Sequence, residues 1–350
     1  MSELTAAFLP VYHNPYQHLL KEGLSTHGIA VQYLDNMPSP RWLWRSREKV
    51  HILHLHWLYG LYMQRYLTPF RLAAFCTRLY LARRLGYGLV WTAHNLLPHR
   101  RFFPPMHRFV RRLVMNSADA VIVHCEYGRD ELHRLFPRQK PIHVIPHGNY
   151  EGVHPITMTR SAAREQLNIP PDAFVYGQLG NITSYKGTRR FVQQFRQIAA
   201  ERDVALIAGR NRDSQLVSEL KESATTDPRL HLHAGFIPEE EMQHYLLATD
   251  AMVFTFREVL TSGSVILALT YGVPVIAPAA GCLPELVTEE AGLLYRPDDD
   301  EALARAMTAI RKQNLAKMRE QARAIAHKLD WAPIARKTAA LYRTILEQQP

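Results

Sequence analysis

The stretch FVYGQLGNITSYKG, residues 174–187, contains the structural unit from which the whole chain is built. An apolar run over 174–179 predicts a buried strand, Gly180 begins a turn, and a helical pattern continues over 187–200. A glycine turn before a helix lets the backbone approach an anion, and the helix end attracts negative charge. Lys186 adds a movable positive charge that suits a phosphate. The stretch predicts a strand–loop–helix unit with a phosphate-binding loop; taken alone, an ordinary surface loop is the alternative.

The same alternation of strands and helices extends over the rest of the chain. Strands are predicted at 5–11, 29–34, 50–56, 88–93, 120–124 and 142–146, and again at 174–179, 204–208, 230–234, 251–255 and 273–277. Helices are predicted at 15–27, 68–86, 104–117, 127–135, 187–200, 213–223, 239–248, 262–271, 299–312 and 331–347. Two such series in succession predict two doubly wound α/β domains, each with a parallel sheet. We expect domains at 1–150 and 172–328, a linker at 151–171, and a final helix in 329–350.

Charge is distributed unevenly between the two halves. The chain has 350 residues and a net charge of +10. Residues 1–150 hold 19 Lys and Arg against 8 Asp and Glu, whereas residues 151–350 hold 23 against 24. Residues 1–25 do not resemble a secretory signal, and no uncharged apolar run is long enough for a transmembrane helix. We therefore expect a cytoplasmic protein, in peripheral contact with the inner face of the membrane if the basic half binds anionic lipid.

Further loops of the second half combine glycine or hydroxyl groups with a helix start. Thr261, Ser262, Gly263 and Ser264 follow the strand at 251–255 and can receive an anion at a helix end. The alternative is a plain helix cap. Gly281 and Glu285 occupy the corresponding place after the strand at 273–277. The complete set predicted to bind a nucleotide and its phosphates is Gly180, Asn181, Lys186, Gly209, Arg210, Glu258, Thr261, Ser262, Gly263, Ser264, Gly281 and Glu285.

The order of these motifs resembles the nucleotide-sugar glycosyltransferases of the GT-B fold, especially glycosyltransferase family 4 (group 1). The strongest parts of the resemblance are GNITSYKG at 180–187 and TYGVPVIAPAAGCLPELVTEEAGLLYRPDD at 270–299. The resemblance implies two Rossmann-like domains facing across a cleft, with the nucleotide-sugar donor bound by the C-terminal domain. Asp330-Trp331 and Leu341-Tyr342 are similar to the family's last helix, which packs back on the first domain.

Three positions depart from the family pattern. Asn181 stands where the family has an arginine, and the positions of two family glutamates fall on Val259 and Leu267. Glu258 is one residue out of register, and Leu267 has no carboxylate to hold a ribose. The hydroxyl-rich group at 261–264 can take over part of the diphosphate binding. Retention and inversion of the sugar configuration both stay open.

Histidines end four predicted strands of the first half. His56, His94, His124 and His147 lie at the same edge of the expected sheet, and most of these positions resemble histidine-bearing strand ends of the family. Satisfied core histidines are the alternative. A neutral histidine can take a proton from an acceptor hydroxyl, directly or through the leaving phosphate. We assign catalysis to His94, His56 and Lys186, and acceptor binding to Tyr12, Asn14, Tyr16, Trp57, Asn95 and His147. We expect no metal ion and no cofactor besides the sugar nucleotide used as substrate.

Stretches that mix arginine with aromatic residues offer a place for the basic excess. They are 41–47, 100–103 and 108–112. Such a surface suits anionic lipid, so we expect a glycan or lipid-linked acceptor in cell-surface polysaccharide synthesis. A solvated helix face is the simpler alternative, and no nucleic-acid-binding motif is present. Two other functions stay open: a nucleotide-sugar epimerase of the same fold, and a non-catalytic basic module that binds membrane or nucleic acid.

Overall fold

The computed structural model describes residues 4–12, 15–98, 103–153 and 156–348. The chain divides into two units. One comprises Met1–Gly148 with Asp330–Pro350, and the other comprises Asn149–Leu329.

The first unit is built on a six-stranded parallel sheet in the order β2–β1–β3–β4–β5–β6. Its strands are β1 Leu4–Leu9, β2 Ile29–Tyr33, β3 Ile52–Leu55, β4 Gly88–Thr92, β5 Ala120–Val123 and β6 Ile142–Val144. Its helices are α1 Pro15–Ser25, α2 Pro40–Ser46, α3 Tyr59–Tyr62, α4 Thr68–Arg84, α5 Pro104–Ser117, α6 Glu126–Leu135 and the C-terminal α15 Trp331–Glu347. In this strand order, ligands bind at the carboxyl ends of β1 and β3, where the winding reverses.

Both faces of this sheet are covered, which explains why its strands are apolar on both sides. Successive residues of β1 alternate between two clusters: Leu9 packs in the one that contains Phe75 of α4, and Phe8 in the one that contains Ile334 of α15. Helix α15 lies against α1. A Cβ at Gly23 would come within 2.6 Å of the Ala335 Cβ, so small residues allow the two helices to approach closely.

The second unit has a six-stranded parallel sheet in the order β12–β11–β10–β7–β8–β9. Its strands are β7 Val175–Leu179, β8 Val204–Ala208, β9 Leu230–His233, β10 Ala251–Val253, β11 Val275–Pro278 and β12 Gly292–Tyr295. Its helices are α7 Arg160–Gln166, α8 Thr188–Ile198, α9 Ser214–Thr226, α10 Met242–Ala248, α11 Gly263–Thr270, α12 Leu283–Leu286, α13 Asp300–Ile310 and α14 Leu315–His327. Single 3₁₀ turns cover Ser184–Lys186 and Glu239–Glu241 in this unit and Arg65–Leu67 in the first unit. This is the Rossmann strand order, and its winding reverses between β7 and β10.

The structure adds elements that the sequence patterns did not predict. The segment expected to be a linker, 151–171, contains α7, and Ala163 of this helix is fully buried in the core of the second unit. Strand β12 and the 13-residue helix α14 were also missed. Register with Val275–Pro278 of β11 fixes β12 as the edge strand.

In the ranges that the structure describes, no helix is long and apolar enough to cross a membrane.

Candidate functional site

Three loops of the second unit come together after β7, β10 and β11. We call them loop A (180–187), loop B (255–264) and loop C (280–285). A Cβ at Gly187 would lie 2.3 Å from the Thr255 carbonyl oxygen, and a Cβ at Gly281 would lie 2.3 Å from that of Val259. Both glycines have positive φ, +72° and +58°, so their backbone conformation also favours glycine. Gly187 and the predicted Gly281 therefore allow close packing of loops A and C against loop B.

Lys186 lies over the glycine turn that begins loop A. A Cβ at Gly180 would lie 2.6 Å from Lys186 Nζ and 3.9 Å from the Ser264 hydroxyl oxygen. Ser264 is in the first turn of α11, where backbone N–H groups have no partner within the helix. Two predicted phosphate-binding groups and one helix start thus meet at one point.

The Lys186 ammonium group has no carboxylate partner among the described residues. Desolvation lowers the pKa of Lys186 to about 8. A second glycine supports the arrangement, because a Cβ at Gly209 would lie only 1.9 Å from the Gly180 carbonyl oxygen. The site therefore holds a cation that an anionic ligand would stabilise.

The other predicted donor-binding residues have different surroundings. The Ser262 hydroxyl caps α11 by accepting from Val265 N at 3.3 Å, which is the plain capping role. Thr261 Oγ1 lies 3.4 Å from Cys282 Sγ. The Arg210 guanidinium lies over the Phe236 ring at 4.7 Å. The side chains that are exposed are Asn181, Arg210, Glu258 and Glu285.

Leu267, at the position of a family glutamate, is packed in the hydrophobic core of the second unit. The described ranges contain no group of three or more His, Cys, Asp or Glu residues placed to hold a metal ion. The acidic triplet at 298–300 begins α13 instead: Asp299 caps the helix at Ala302 N, and Asp300 pairs with Arg190. These acidic side chains are used within the fold.

The strand-end histidines of the first unit form one buried cluster. His54 lies within β3 and His56 directly follows that strand. His94 follows β4, His124 follows β5 and His147 follows β6; all five are buried. Tyr16 packs at the centre of the cluster, with its ring centroid 4.8 Å from those of His94 and His147. The Tyr342 hydroxyl of α15 bonds to His54 Nδ1 at 2.5 Å.

Three of these histidines form a hydrogen-bonded chain whose direction is fixed by a backbone carbonyl. His124 Nδ1 donates to the Ile145 carbonyl at 2.9 Å, so the neutral His124 ring accepts at Nε2. His94 Nδ1 then donates to His124 Nε2 at 3.2 Å, and His56 Nδ1 donates to His94 Nε2 at 3.3 Å. His56 Nε2 is left as a buried acceptor without a partner among the described residues. We call this series the histidine chain.

Burial keeps the cluster neutral near pH 7. Desolvation lowers the pKa of His54 and His124 to about 3 and that of His147 to about 4. Desolvation and the neighbouring rings lower the pKa of His56 and His94 well below the ordinary value. Neutral rings are required for the histidine chain, because a charged imidazolium has no lone pair to accept a hydrogen bond.

A partly enclosed cavity of about 50 Å³ adjoins the histidine chain. Its lining comprises His56, Trp57, Leu58, Tyr59, Trp91, His94, Asn95, Pro98 and Arg111. Of the residues assigned to the acceptor, Trp57 and Asn95 line this cavity, and Trp57 stacks on His94 with centroids 4.4 Å apart. Tyr12 is exposed and meets the Trp57 ring edge-on at 5.2 Å.

Two residues assigned to acceptor binding, Tyr16 and His147, are buried. Tyr16 is only 2% exposed, so it packs against the histidine rings and offers little surface to a ligand. His147 donates from Nδ1 to the Gly148 carbonyl at 2.8 Å and lies beside Trp331. Asn14 lies outside the described residues.

Arg111 is the cavity residue that sequence reasoning misassigned. It was grouped with Arg108 and Arg112 as part of a basic surface, but it is 4% exposed while both neighbours are exposed. The available signal was helical spacing. Val110 and Val114 place Arg111 on the buried face of α5, where an apolar residue is the rule.

Comparisons with known proteins agree with this architecture. The family model described as Glycosyltransferase Family 4 matches residues 16–149, and the model described as Glycosyl transferases group 1 matches residues 173–313. A GDP-mannose:glycolipid 4-beta-D-mannosyltransferase of Xanthomonas campestris pv. campestris is 25% identical over 309 residues, covering 82% of this chain and 80% of that protein.

Solved structures share the fold over nearly the whole length. Sucrose-phosphate synthase from Thermosynechococcus elongatus aligns with a TM-score of 0.77 at 20% identity, covering 99% of each chain. Anabaena HepE, solved in complex with UDP and glucose, aligns with a TM-score of 0.76 at 20% identity, covering 97% of this chain and 100% of that one. Because two family models match the two halves in succession and the fold is shared throughout, the chain is a group 1 glycosyltransferase of the GT-B fold that resembles glycosyltransferase family 4.

Proposed function

We propose that this glycosyltransferase moves a hexose from a UDP- or GDP-sugar, held by the second unit, to a glycan or lipid-linked acceptor held by the first. The observation that carries the proposal is Lys186: a desolvated ammonium group over Gly180, beside the start of α11 and without a carboxylate partner among the described residues. A diphosphate would supply the negative charge that this position lacks.

The relatives support a nucleotide-sugar donor without choosing its base. The mannosyltransferase from Xanthomonas is named for GDP-mannose, whereas HepE was solved with UDP and glucose. We therefore keep UDP and GDP as the two candidates.

The proposed reaction breaks the bond between the anomeric carbon and the diphosphate oxygen. The diphosphate leaves with the electron pair, and Lys186 with the α11 start stabilises its growing charge. The acceptor hydroxyl oxygen forms the new bond to the anomeric carbon and gives up its proton. The residues at hand do this by positioning and charge, so we propose that no metal ion is needed.

His56 is the best placed of the candidate proton acceptors. Both ring nitrogens of His94 are bonded within the histidine chain. His56 Nε2, in contrast, has no partner among the described residues, and the His56 ring lines the cavity. When His56 takes up a proton at Nε2, it can pass its Nδ1 proton to His94 Nε2. The positive charge is then shared along the histidine chain. The leaving phosphate is the alternative destination of this proton.

Calorimetry with UDP and GDP tests the donor site, followed by a panel of nucleotide sugars with and without EDTA. We expect Lys186→Ala to weaken binding of the preferred nucleotide at least about tenfold, since a charged hydrogen bond is lost. Lys221→Ala, at an exposed position on α9, is the control and should bind as wild type. Affinity should also fall as the pH rises past about 8, because the free lysine then loses its charge.

Two outcomes of these experiments favour other functions. Absence of binding to either nucleotide would favour the non-catalytic basic module. Release of an epimerised sugar in the absence of any acceptor would favour the epimerase. Activity that persists unchanged in EDTA supports the metal-free reaction, and its loss would contradict that part of the proposal.

We further propose peripheral contact of the first unit with anionic membrane, in the service of cell-surface polysaccharide synthesis. Large apolar side chains that are more than half exposed in this unit include Trp44, Tyr66, Leu67, Phe70, Phe103 and Phe109. Arg108 and Arg112 are exposed on the same helix as Phe109. Binding to vesicles that contain phosphatidylglycerol should weaken with salt and with Phe70→Ser; equal binding to neutral vesicles would contradict the electrostatic part.

A further inference from the structure

Arg111 is a buried cation to which no described residue supplies a counter-charge. It lies on the sheet-facing side of α5, is 4% exposed, and forms no ion pair with any residue that the structure describes. Its bonding partners are neutral: Nη1 approaches the His107 carbonyl at 3.4 Å, and the guanidinium contacts the Tyr62 hydroxyl. An isolated buried charge is costly, so a fold that keeps one gains something else from it.

The hydrogen bonds around Arg111 leave two donors without acceptors. A guanidinium only donates, so Tyr62 accepts from Arg111 and gives its own proton to His107 Nδ1, at 2.7 Å. His107 then carries its ring proton on Nε2. Within the described ranges, Arg111 Nε and His107 Nε2 are buried and have no hydrogen-bond partner. The surroundings of Arg111 are therefore short of acceptors as well as of negative charge.

Arg111 also lines the cavity that His56 and His94 line. None of the described side chains around this cavity is an Asp or a Glu. About 50 Å³ is room for several water molecules or for one small oxyanion. Trp57 and Tyr59 give the cavity aromatic walls beside the charge.

We infer that Arg111 forms a subsite for an oxyanion, a carboxylate or a phosphate, carried by the glycosyl acceptor. The guanidinium fork matches either group, and Nε is unused by the fold. The inference rests on the proposed function in one respect, because it takes the ligand of this cavity to be the acceptor. On this inference the acceptor is acidic, because a neutral sugar would leave the positive charge of Arg111 without a counter-charge.

Binding measured without any donor tests the subsite separately from sugar transfer. The probes are methyl β-glucuronide, glucose 6-phosphate and the neutral methyl β-glucoside, titrated by calorimetry. We expect at least one anionic sugar to bind about tenfold or more tightly than the neutral one. Preference for the glucuronide or for the phosphate identifies the source of the oxyanion. Equal affinity for all three probes would overturn the inference, whatever the transfer assay shows.

Variants at two positions of α5 separate a ligand role from a structural one. Arg111→Met should lose the anionic preference and raise the melting temperature of the ligand-free protein, because an unpaired buried charge is removed. Arg111→Lys keeps the charge without the fork and should retain only part of the preference. Arg112→Met, at the exposed neighbouring position, should change neither property. A lowered melting temperature or failure to fold in Arg111→Met would assign Arg111 to the fold and overturn the inference.

Discussion

At the scale of single residues, the two units show the same feature: a polar group that is withdrawn from water and has no suitable partner among the described residues. Lys186 lacks a carboxylate, and His56 Nε2 and Arg111 Nε lack hydrogen-bond partners among the described residues. A group of this kind costs stability, so it marks a place where a ligand completes the arrangement. Sequence patterns identify the residue types, but only packing shows which of them lack partners.

His124 gives a test of the histidine chain at this scale. His124→Ser would remove the acceptor that holds the His94 Nδ1 proton. We expect kcat for transfer to fall roughly tenfold with little change in donor KM, because the tautomer of His94 is no longer fixed. Steady-state kinetics against the preferred sugar nucleotide measures both constants.

His124→Gln is the matching rescue variant. Its amide can donate to the Ile145 carbonyl and still accept from His94, so it should recover part of kcat. His133→Ser, at an exposed position on α6, is the control. Full activity in His124→Ser, or an equal loss of kcat in the serine and glutamine variants, would show that the histidine chain does not position His56.

The sequence predicted where the histidines lie, but not which of them donates a hydrogen bond to which. The rule that parallel strands share a carboxyl edge brought His56, His94 and His147 together from sequence alone. The order of proton donation depends on one backbone carbonyl, that of Ile145, which no side-chain pattern reveals. Arg111 was misassigned for a related reason: a cluster of arginines suggests a surface, and only the helical period separates the buried member.

At the scale of elements, turns that need glycine hold the donor loops in place. Gly209 directly follows β8 with φ +148°, and a Cβ there would lie 1.9 Å from the Gly180 carbonyl oxygen. Gly209→Ala therefore combines backbone strain with a clash against a carbonyl group that cannot turn aside. We expect a loss of at least about 2 kcal/mol in the free energy of unfolding of the second unit, measured by urea denaturation.

Gly152→Ala separates strain from the clash. Gly152 has φ +78°, and a Cβ at this position would meet no described atom within 4 Å, so only the cost of the positive φ applies, about 1 kcal/mol. Donor binding should fall in Gly209→Ala and stay unchanged in Gly152→Ala, since only the former displaces loop A. Equal losses of stability in both variants would mean that contact with Gly180 contributes nothing.

Most elements were predicted within a few residues, including the three-residue strands β6 and β10. Strand β12, the short helices α2, α3, α7 and α12, and the 13-residue helix α14 were missed. Helix α7 has only seven residues, and strand β12 has four. Helix α7 was further obscured by prolines at 170 and 171, which mark a turn but do not exclude a helix before it. Tertiary packing decides these short elements, because each contributes too few residues to be stable alone.

At the scale of the whole molecule, the two halves differ in histidine as they differ in charge. Residues 1–150 contain 13 of the 18 histidines, and the buried cluster of five lies entirely in the first unit. Its neighbours Tyr16 and Tyr342 are neutral, and burial raises the pKa of both hydroxyls. Acid should consequently act first on one unit of the protein and only later on the other.

The expected direction follows from the lowered pKa values. In the folded protein His54, His124 and His147 stay neutral down to about pH 3 to 4, whereas in the unfolded chain they take up protons below about pH 6.5. The unfolded state therefore binds more protons as the pH falls, and stability is lost over this window. Between pH 7 and pH 5 each such histidine costs roughly 2 kcal/mol.

Scanning calorimetry with hydrogen exchange at pH 7.5, 6 and 5 would measure this loss and locate it. We expect the melting temperature of the first unit to fall steeply with pH, with amides of β3, β4 and β5 losing protection before those of β7 and β8. Replacement of His54 by glutamine should flatten the pH dependence, because one titrating group is removed from the buried cluster. Replacement of the exposed His133 on α6 is the control for loss of a surface histidine and should leave the steep fall in place. Parallel loss of protection in both units would mean that acid stability is set by surface charge, and would contradict a neutral histidine cluster as its source.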